Sequence, residues 1–245
     1  MTANSLLIPD WPAPANVRAV CSTRLGGVST GRYESLNLGN HVGDEQALVA
    51  QNRQRFMLQA GMPAAPVWLE QVHGIEVATL DASTDTTPVA DACASTERRI
   101  VCAVMTADCL PLLLCDQAGS QVAAVHAGWR GLCAGIIEQA VDRFNQSSLV
   151  MAYLGPAISQ QAFEVGPEVR EAFIAHCSDA ALAFRQSEGG RYYADLYHLA
   201  RQRLLQAGVS LIYGGQHCTF TQKELFFSYR RDGQTGRMAS AIWLD

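Results

Sequence analysis

Ile100 to Gly131 reads IVCAVMTADCLPLLLCDQAGSQVAAVHAGWRG, and the fold class turns on how it is parsed. Ile100–Met105, Leu110–Cys115 and Val122–Val125 are short, unbroken apolar runs. Runs of this length without polar alternation read as strands buried on both faces. Thr106-Ala107-Asp108-Cys109 separates the first two, and Asp116 to Ser120 is a turn before the third. Beyond His126 the period changes. Leu132, Ile136, Ile137, Ala140, Val141 and Phe144 trace the stripe of one helix. Buried strands feeding helices predict an α/β or α+β layered sandwich.

Working outward, Val17–Ser22 reads as a strand that runs into TRLGGVSTGRYESLNLGNH, a glycine-rich loop too long for an idle connection. Glu45 to Gln59 reads as a helix with Gly61 just past its end. Pro66–Leu69, Ile75–Leu80, Leu149–Leu154 and Met238–Leu244 read as further strands. GPAIS is a turn leading to Phe163–Gly166, Pro167 opens a helix, and Ala194 to Gln206 is another helix, ended by Gly208. No linker-like stretch divides the chain, so residues 1–245 are expected to form one domain.

Composition narrows the function classes. With 49% hydrophobic and 17% charged residues, the chain has the profile of a soluble globular protein. A net charge of −5 with no basic run argues against nucleic-acid binding. No apolar run approaches the length of a membrane span, and the N-terminus has neither a cationic start nor a sustained apolar stretch, so a cytoplasmic location is expected. The eight cysteines form no C-x-x-C pair and are expected to be free thiols there.

His73, Cys109 and His126 each lie near the end of an apolar run, inside a turn of small residues. They are too far apart in sequence for one local metal loop, but strands converging on one sheet edge would bring them together. Two imidazoles and a thiolate suit a zinc site that leaves one position open. The same three residues would also make a cysteine nucleophile with a histidine base. Asp108, a carboxylate beside a buried run, needs a partner or a role. Gly128 and Gly131 allow close backbone approach where a helix begins, and Arg130 adds a fixed charge, a combination that favours an anion. Arg24, in Thr23-Arg24-Leu25-Gly26-Gly27, sits in the long loop and is a second candidate for that anion.

CSTRLGGVS, SLNLG, WLEQVHG, MTADCLP, VHAGWRG, LGPAI, FEVG, FFSYRRD and GRMAS occur in that order between Cys21 and Trp243. In these motifs the chain resembles the laccase-domain family, and most of all its enterobacterial-type members. Members are described variously as polyphenol oxidase, purine nucleoside phosphorylase and peptidoglycan editing factor. The resemblance implies a zinc held by His73, Cys109 and His126, and a sandwich similar in its core to cysteine hydrolases of the deamidating-toxin type. It also implies purine nucleosides and phosphate as small-molecule partners. The reactions implied are phosphorolysis of adenosine, inosine and methylthioadenosine, deamination of adenosine, copper-dependent oxidation of phenols, or removal of misplaced serine from peptidoglycan precursors.

The residues weigh against a four-copper oxidase. Six histidines with no H-x-H pair are too few for its ligands, so phenol oxidation would come from copper substituting for zinc in the one His–Cys–His site. The leading expectation is a zinc enzyme acting on purine nucleosides. Deamination needs a carboxylate to carry protons, and without an H-x-E signature the candidates are Asp108 and Glu164. For phosphorolysis, Arg24 and Arg130 are expected to hold phosphate and Asn37 to contact the ribose or base. Aromatic rings between Phe226 and Tyr229 are candidates for stacking on a base, with a core role as the alternative. The runner-up is an amidase with Cys109 as nucleophile and His126 or His73 as base.

Overall fold

The computed structural model describes residues 6–145 and 149–245. In chain order the elements are β1 (Leu6–Leu7), β2 (Val17–Ser22), α1 (Gln46–Ala60), β3 (Val77–Thr79), β4 (Ala92–Ser95), β5 (Cys102–Thr106), β6 (Leu110–Asp116), β7 (Val122–Ala127), α2 (Trp129–Ala134) and α3 (Ile136–Val141). There follow β8 (Val150–Leu154), β9 (Glu164–Val165), α4 (Pro167–His176), β10 (Phe184–Gln186), β11 (Tyr192–Ala194), α5 (Leu196–Gln206), β12 (Leu211–Gly214), α6 (Tyr229–Asp232) and β13 (Met238–Leu244). One sheet runs β1-β2-β13-β5, a second β12-β8-β6-β7-β4-β3, and a small third β10-β11-β9.

The apolar runs have no polar alternation because the two large sheets are covered on both sides. Leu113, Cys115, Val122 and Ala124 of the six-stranded sheet meet Cys21, Val104 and Ile242 of the four-stranded sheet. Leu112, Leu114, Ala123 and Val125 point the other way, onto Leu132, Ile136, Ile137 and Ala140 of α2 and α3 and Leu199 and Ala200 of α5. Val20, Ala103, Ala241 and Trp243 form the outer face of the four-stranded sheet and pack on Phe56 of α1. The layers are therefore helix, sheet, sheet, helix, as the layered α/β reading expected.

Several boundaries differ from that reading. The stripe from Leu132 to Phe144 is broken into two helices, because Gly135 takes φ 106° and closes α2 through its N–H to the Gly131 carbonyl. Pro66–Leu69 contributes only a single bridge, Val67 to Cys102, and Ile75–Leu80 shrinks to Val77–Thr79. Ala194 ends a strand, and Asp195 caps the helix that follows by accepting from His198 N–H at 2.9 Å. β4, β10, β11 and β12 were not anticipated. Among the described residues, no helix is long and apolar enough to cross a membrane.

Candidate metal centre

The chain leaves the four-stranded sheet at Thr106 and enters the six-stranded one at Leu110. Asp108 is the corner of that crossing, at φ 96°. Its carboxylate accepts from Thr219 Oγ1 (2.6 Å), Ser228 Oγ (3.0 Å) and Arg230 N–H (2.7 Å), and its carbonyl accepts from Ile158 N–H (2.9 Å). The carboxylate thus finds the partner its burial demanded, and its oxygens are committed to holding the 219–230 segment against the corner. This commitment runs against the proton-carrying role expected of Asp108.

Past the corner, β6 and β7 pair antiparallel with Leu110 opposite Ala127 and Pro111 opposite His126. The same register carried one step further sets Cys109 beside Gly128. His126 lies on the face turned toward the other sheet and is 3% exposed. The third residue arrives on a turn. Gln71 exchanges two hydrogen bonds with the Met105 backbone, at 2.8 and 2.9 Å, tying this segment to the end of β5. His73 follows at φ 61°, a left-handed conformation that costs a non-glycine residue about 1–3 kcal/mol. Asp91 holds that turn. Its carboxylate accepts the N–H groups of Val72 (3.1 Å), His73 (2.9 Å) and Gly74 (2.6 Å).

Asp91 also holds His126. His126 Nδ1 donates to Asp91 Oδ1 at 2.7 Å, and His126 N–H donates to the Asp91 carbonyl at 2.7 Å. One fully buried carboxylate therefore positions two of the three site residues. With Nδ1 engaged, His126 presents Nε2. His73 Nε2 lies 3.9 Å from Cys109 Sγ, and the two imidazole rings meet edge to face at 4.8 Å. The three donor atoms lie within 4.8 Å of one another, and among the described residues this is the one such cluster. Donors around a single tetrahedral zinc stand roughly 3.3–3.8 Å apart, given bond lengths of about 2.0–2.3 Å. The donor set fits a zinc ion with only small side-chain adjustments.

The electrostatics describe a thiolate beside a protonated imidazole, so His126 must release its Nε2 proton before that nitrogen can hold an ion. Burial pushes the Cys109 thiol up, but the His126 and His73 imidazoles outweigh it and bring the thiol down to about 6. Burial pushes His126 down, but Cys109 and Asp91 outweigh it and raise the imidazole to about 9. Asp91 itself is opposed by its burial, yet the hydrogen bonds from His126, Gly74 and His73 hold it below the usual carboxylate range. Cys109 is thus a thiolate near neutral pH, the form that ligates a metal or attacks a carbonyl.

Gly128 is required by this packing. A Cβ there would stand 2.8 Å from His73 Cδ2 and 3.1 Å from Cys109 Sγ. Gly128→Ala is expected to push the cluster apart. Metal content by elemental analysis should fall sharply, while the melting transition shows only the roughly 1–3 kcal/mol of an overpacked site.

The cluster opens onto a cavity of about 1000 Å³ whose lining includes Trp68, Glu70, Asp85 and Tyr229. Several expected contacts are absent from it. Arg24 donates to the carbonyls of Glu34 (2.7 Å) and Lys223 (3.2 Å) and lies over the Phe227 ring, so its guanidinium fastens the long loop. Arg130 lies over the Trp129 ring on the surface. Asn37 is fully buried, with its oxygen accepting from Gly39 and Arg237 N–H and its nitrogen donating to Gly39 and Asp44. Glu164 pairs with Arg191 and Ser187. Phe226 and Phe227 are core residues, and Tyr229 alone of that segment lines the cavity. Sequence reasoning missed Asp91. It stands alone before a small-residue strand, DACAS, and no local pattern marks it.

Fold and site together define a mixed α/β protein whose cavity is equipped to hold one metal ion. The chain belongs to the family described as multi-copper polyphenol oxidoreductase laccase, whose sequence model matches residues 18–245. It is 54% identical to the Escherichia coli protein named purine nucleoside phosphorylase YfiH, over 98% of this chain and 99% of that protein. A Pseudomonas aeruginosa protein of the same activity name is 50% identical over 98% of this chain and 99% of its own length. The crystal structure of a Neisseria meningitidis protein superposes with a TM-score of 0.94 at 50% identity, covering 99% of this chain and all of that one.

Proposed function

We propose that the chain is a zinc enzyme that phosphorolyses adenosine, inosine and methylthioadenosine, and that the same site deaminates adenosine. The observation that carries the reading is the His73–Cys109–His126 donor set opening onto a cavity with room for a nucleoside and phosphate together. The names of the relatives support the same substrate class. His73 Nε2, Cys109 Sγ and His126 Nε2 would hold the ion. When bound, zinc supplies a Lewis acid to polarise oxygen and lower the pKa of water. Asp91 keeps the His126 tautomer and the His73 turn in place. Tyr229 offers an exposed ring for a base to stack on.

In phosphorolysis a phosphate oxygen bonds to ribose C1′ as the bond from C1′ to the purine nitrogen breaks. The products are the free base and ribose 1-phosphate, or 5-methylthioribose 1-phosphate from methylthioadenosine. In deamination water replaces the C6 amino group and ammonia leaves. With Asp108 and Glu164 engaged elsewhere, the proton carrier falls to Glu70 or Asp85, the carboxylates on the cavity wall. Copper in the same site is the one route to phenol oxidation, since the described residues contain one such cluster.

Protein purified without added metal is expected to contain about one zinc per chain. Chelation should abolish phosphate-dependent release of purine base, and zinc should restore it. Full activity in metal-free protein would sink this reading.

One observation favours a second. Asp91, His126 and Cys109 form a connected row with an ionised thiol, the arrangement of a cysteine hydrolase. Cys109 would then attack an amide, such as that of a serine-containing muramyl precursor, with His126 carrying the proton to the leaving amine.

A further inference from the structure

Two guanidinium groups and one imidazole line the cavity alongside the metal cluster: Arg53, Arg237 and His41. They come from distant parts of the chain and are assembled by backbone. Arg53, on α1, donates its Nε–H to the Leu38 carbonyl at 2.9 Å. Leu38 N–H donates to the Arg237 carbonyl at 3.1 Å. Arg237 N–H donates to the buried Asn37 oxygen at 2.9 Å, and Arg237 Nη1 donates to the carbonyls of Thr235 (3.0 Å) and Gly236 (3.1 Å). Asn37, expected from sequence to touch substrate, is instead the bracket joining the 37–41 turn to Arg237.

What fixes these arginines does not neutralise them. Arg53 lies 4.1 Å from the Trp68 ring centre, and Arg237 lies 5.9 Å from that of Tyr229. Their other partners are carbonyls, apart from a weak Arg53 contact to Met105 sulfur at 3.9 Å. Among the described residues, no ion pair joins either arginine to a carboxylate. Both guanidiniums are half-buried with N–H groups unspent, and Arg237 feels the Cys109 and Asp108 charges only through space, so an anion in the cavity would take up donors that no carboxylate pairs with. Burial and then the two arginines hold the His41 imidazole low, which places all three groups in one electrostatic neighbourhood and keeps His41 neutral.

We propose that Arg53 and Arg237, with His41 beside them, form an oxyanion subsite of the cavity that binds a phosphate group. Resting on the purine reading above, the ligand is the inorganic phosphate that attacks the nucleoside. Guanidinium edges recognise the same chemistry on a phosphate monoester, so the experiment separates free phosphate from an esterified one.

Calorimetric titration of the metal-containing protein with inorganic phosphate, and separately with a nucleoside 5′-monophosphate, should show binding of at least one. Arg53→Gln and Arg237→Gln should each weaken it about tenfold or more, and Arg53→Lys and Arg237→Lys should recover part of the loss. Metal content and melting temperature are measured on every variant. Where a glutamine variant does not fold, the wild type is treated with phenylglyoxal. Modification of Arg53 and Arg237, mapped by mass spectrometry, should be slowed by phosphate. Preference for free phosphate identifies a co-substrate site, and preference for the monoester identifies a site for a phosphorylated substrate. Arginine-dependent binding without any phosphorolysis supports the subsite and removes only the purine reading. Unchanged affinity in folded, metal-replete glutamine variants, or no phosphate protection of either arginine, overturns the proposal.

Discussion

Cys109→Ser is expected to lose zinc far more severely than the roughly 10–100-fold typical of changes outside the ligand shell, and to lose activity with it. Serine keeps a nucleophilic oxygen of similar shape, but beside two histidines it is a poor zinc ligand. Excess zinc should therefore restore part of the activity. Cys109→Ala decides less, because both readings of the site lose activity with it. If Cys109 is instead the nucleophile of an amidase, the wild type should work fully in chelator, and intact mass should reveal a substrate-derived adduct on that sulfur. The thiol near 6 is shared by both readings, since ligands and nucleophiles both need the thiolate. The zinc reading is favoured because His73 has a place in it: two imidazoles and a thiolate converge, where a simple dyad needs one imidazole.

The second large effect is expected at a residue that touches neither metal nor substrate. Asp91→Asn keeps the shape of the side chain and removes its capacity to accept on both sides. Four donors face the Asp91 carboxylate: His126 Nδ1–H and the N–H groups of Val72, His73 and Gly74. An amide must turn its NH₂ toward one side of that set. Turned toward His126, it forces Nδ1 to accept and moves the ring proton to Nε2, where it blocks the metal. Turned toward Val72 and Gly74, it leaves their N–H groups unpaired, at about 1–3 kcal/mol for each buried group, and loosens the His73 turn. Either outcome should lower zinc affinity by about 10–100-fold, with a parallel loss of activity. Competition with a calibrated chelator measures the first, and nitrogen NMR of His126 reports the tautomer directly. Wild-type zinc affinity with Nδ1 still protonated would show that Asp91 serves only the fold.

Local pattern made the strands at the heart of the molecule legible. β5, β6 and β7 carry unbroken apolar runs, and β13 one interrupted only by Ser240, because each is covered on both faces, and burial of that kind leaves its mark residue by residue. The short strands β4, β10, β11 and β12 carry no such mark. Their neighbours in the sheets select them, and tertiary pairing outweighs weak local preference. The break at Gly135 was written in the chain as a glycine inside a helical stripe, but a stripe of five buried residues masked it.

The candidate site divides along the same line. The ends of apolar runs and the small residues around them marked His73, Cys109 and His126, because a strand end is where a rigid scaffold aims a side chain. The polar residues chosen as contacts lie outside the cavity lining. Arg24, Arg130, Asn37, Asp108 and Glu164 were chosen for their chemistry and their position in turns, and the structure spends them on loops, rings, backbone and ion pairs. Arg53, on a helix, carried no local signal, and Arg237, inside the GRMAS motif, was not singled out, yet both line the cavity. The sequence by itself determined the layered α/β class, the family and the three residues that meet in the His–Cys–His cluster, since burial and strand ends are properties of short segments. Only the tertiary structure decided that Asp91 holds the cluster and which arginines face it. A polar side chain's role depends on which donors and acceptors reach it from segments tens to hundreds of residues away.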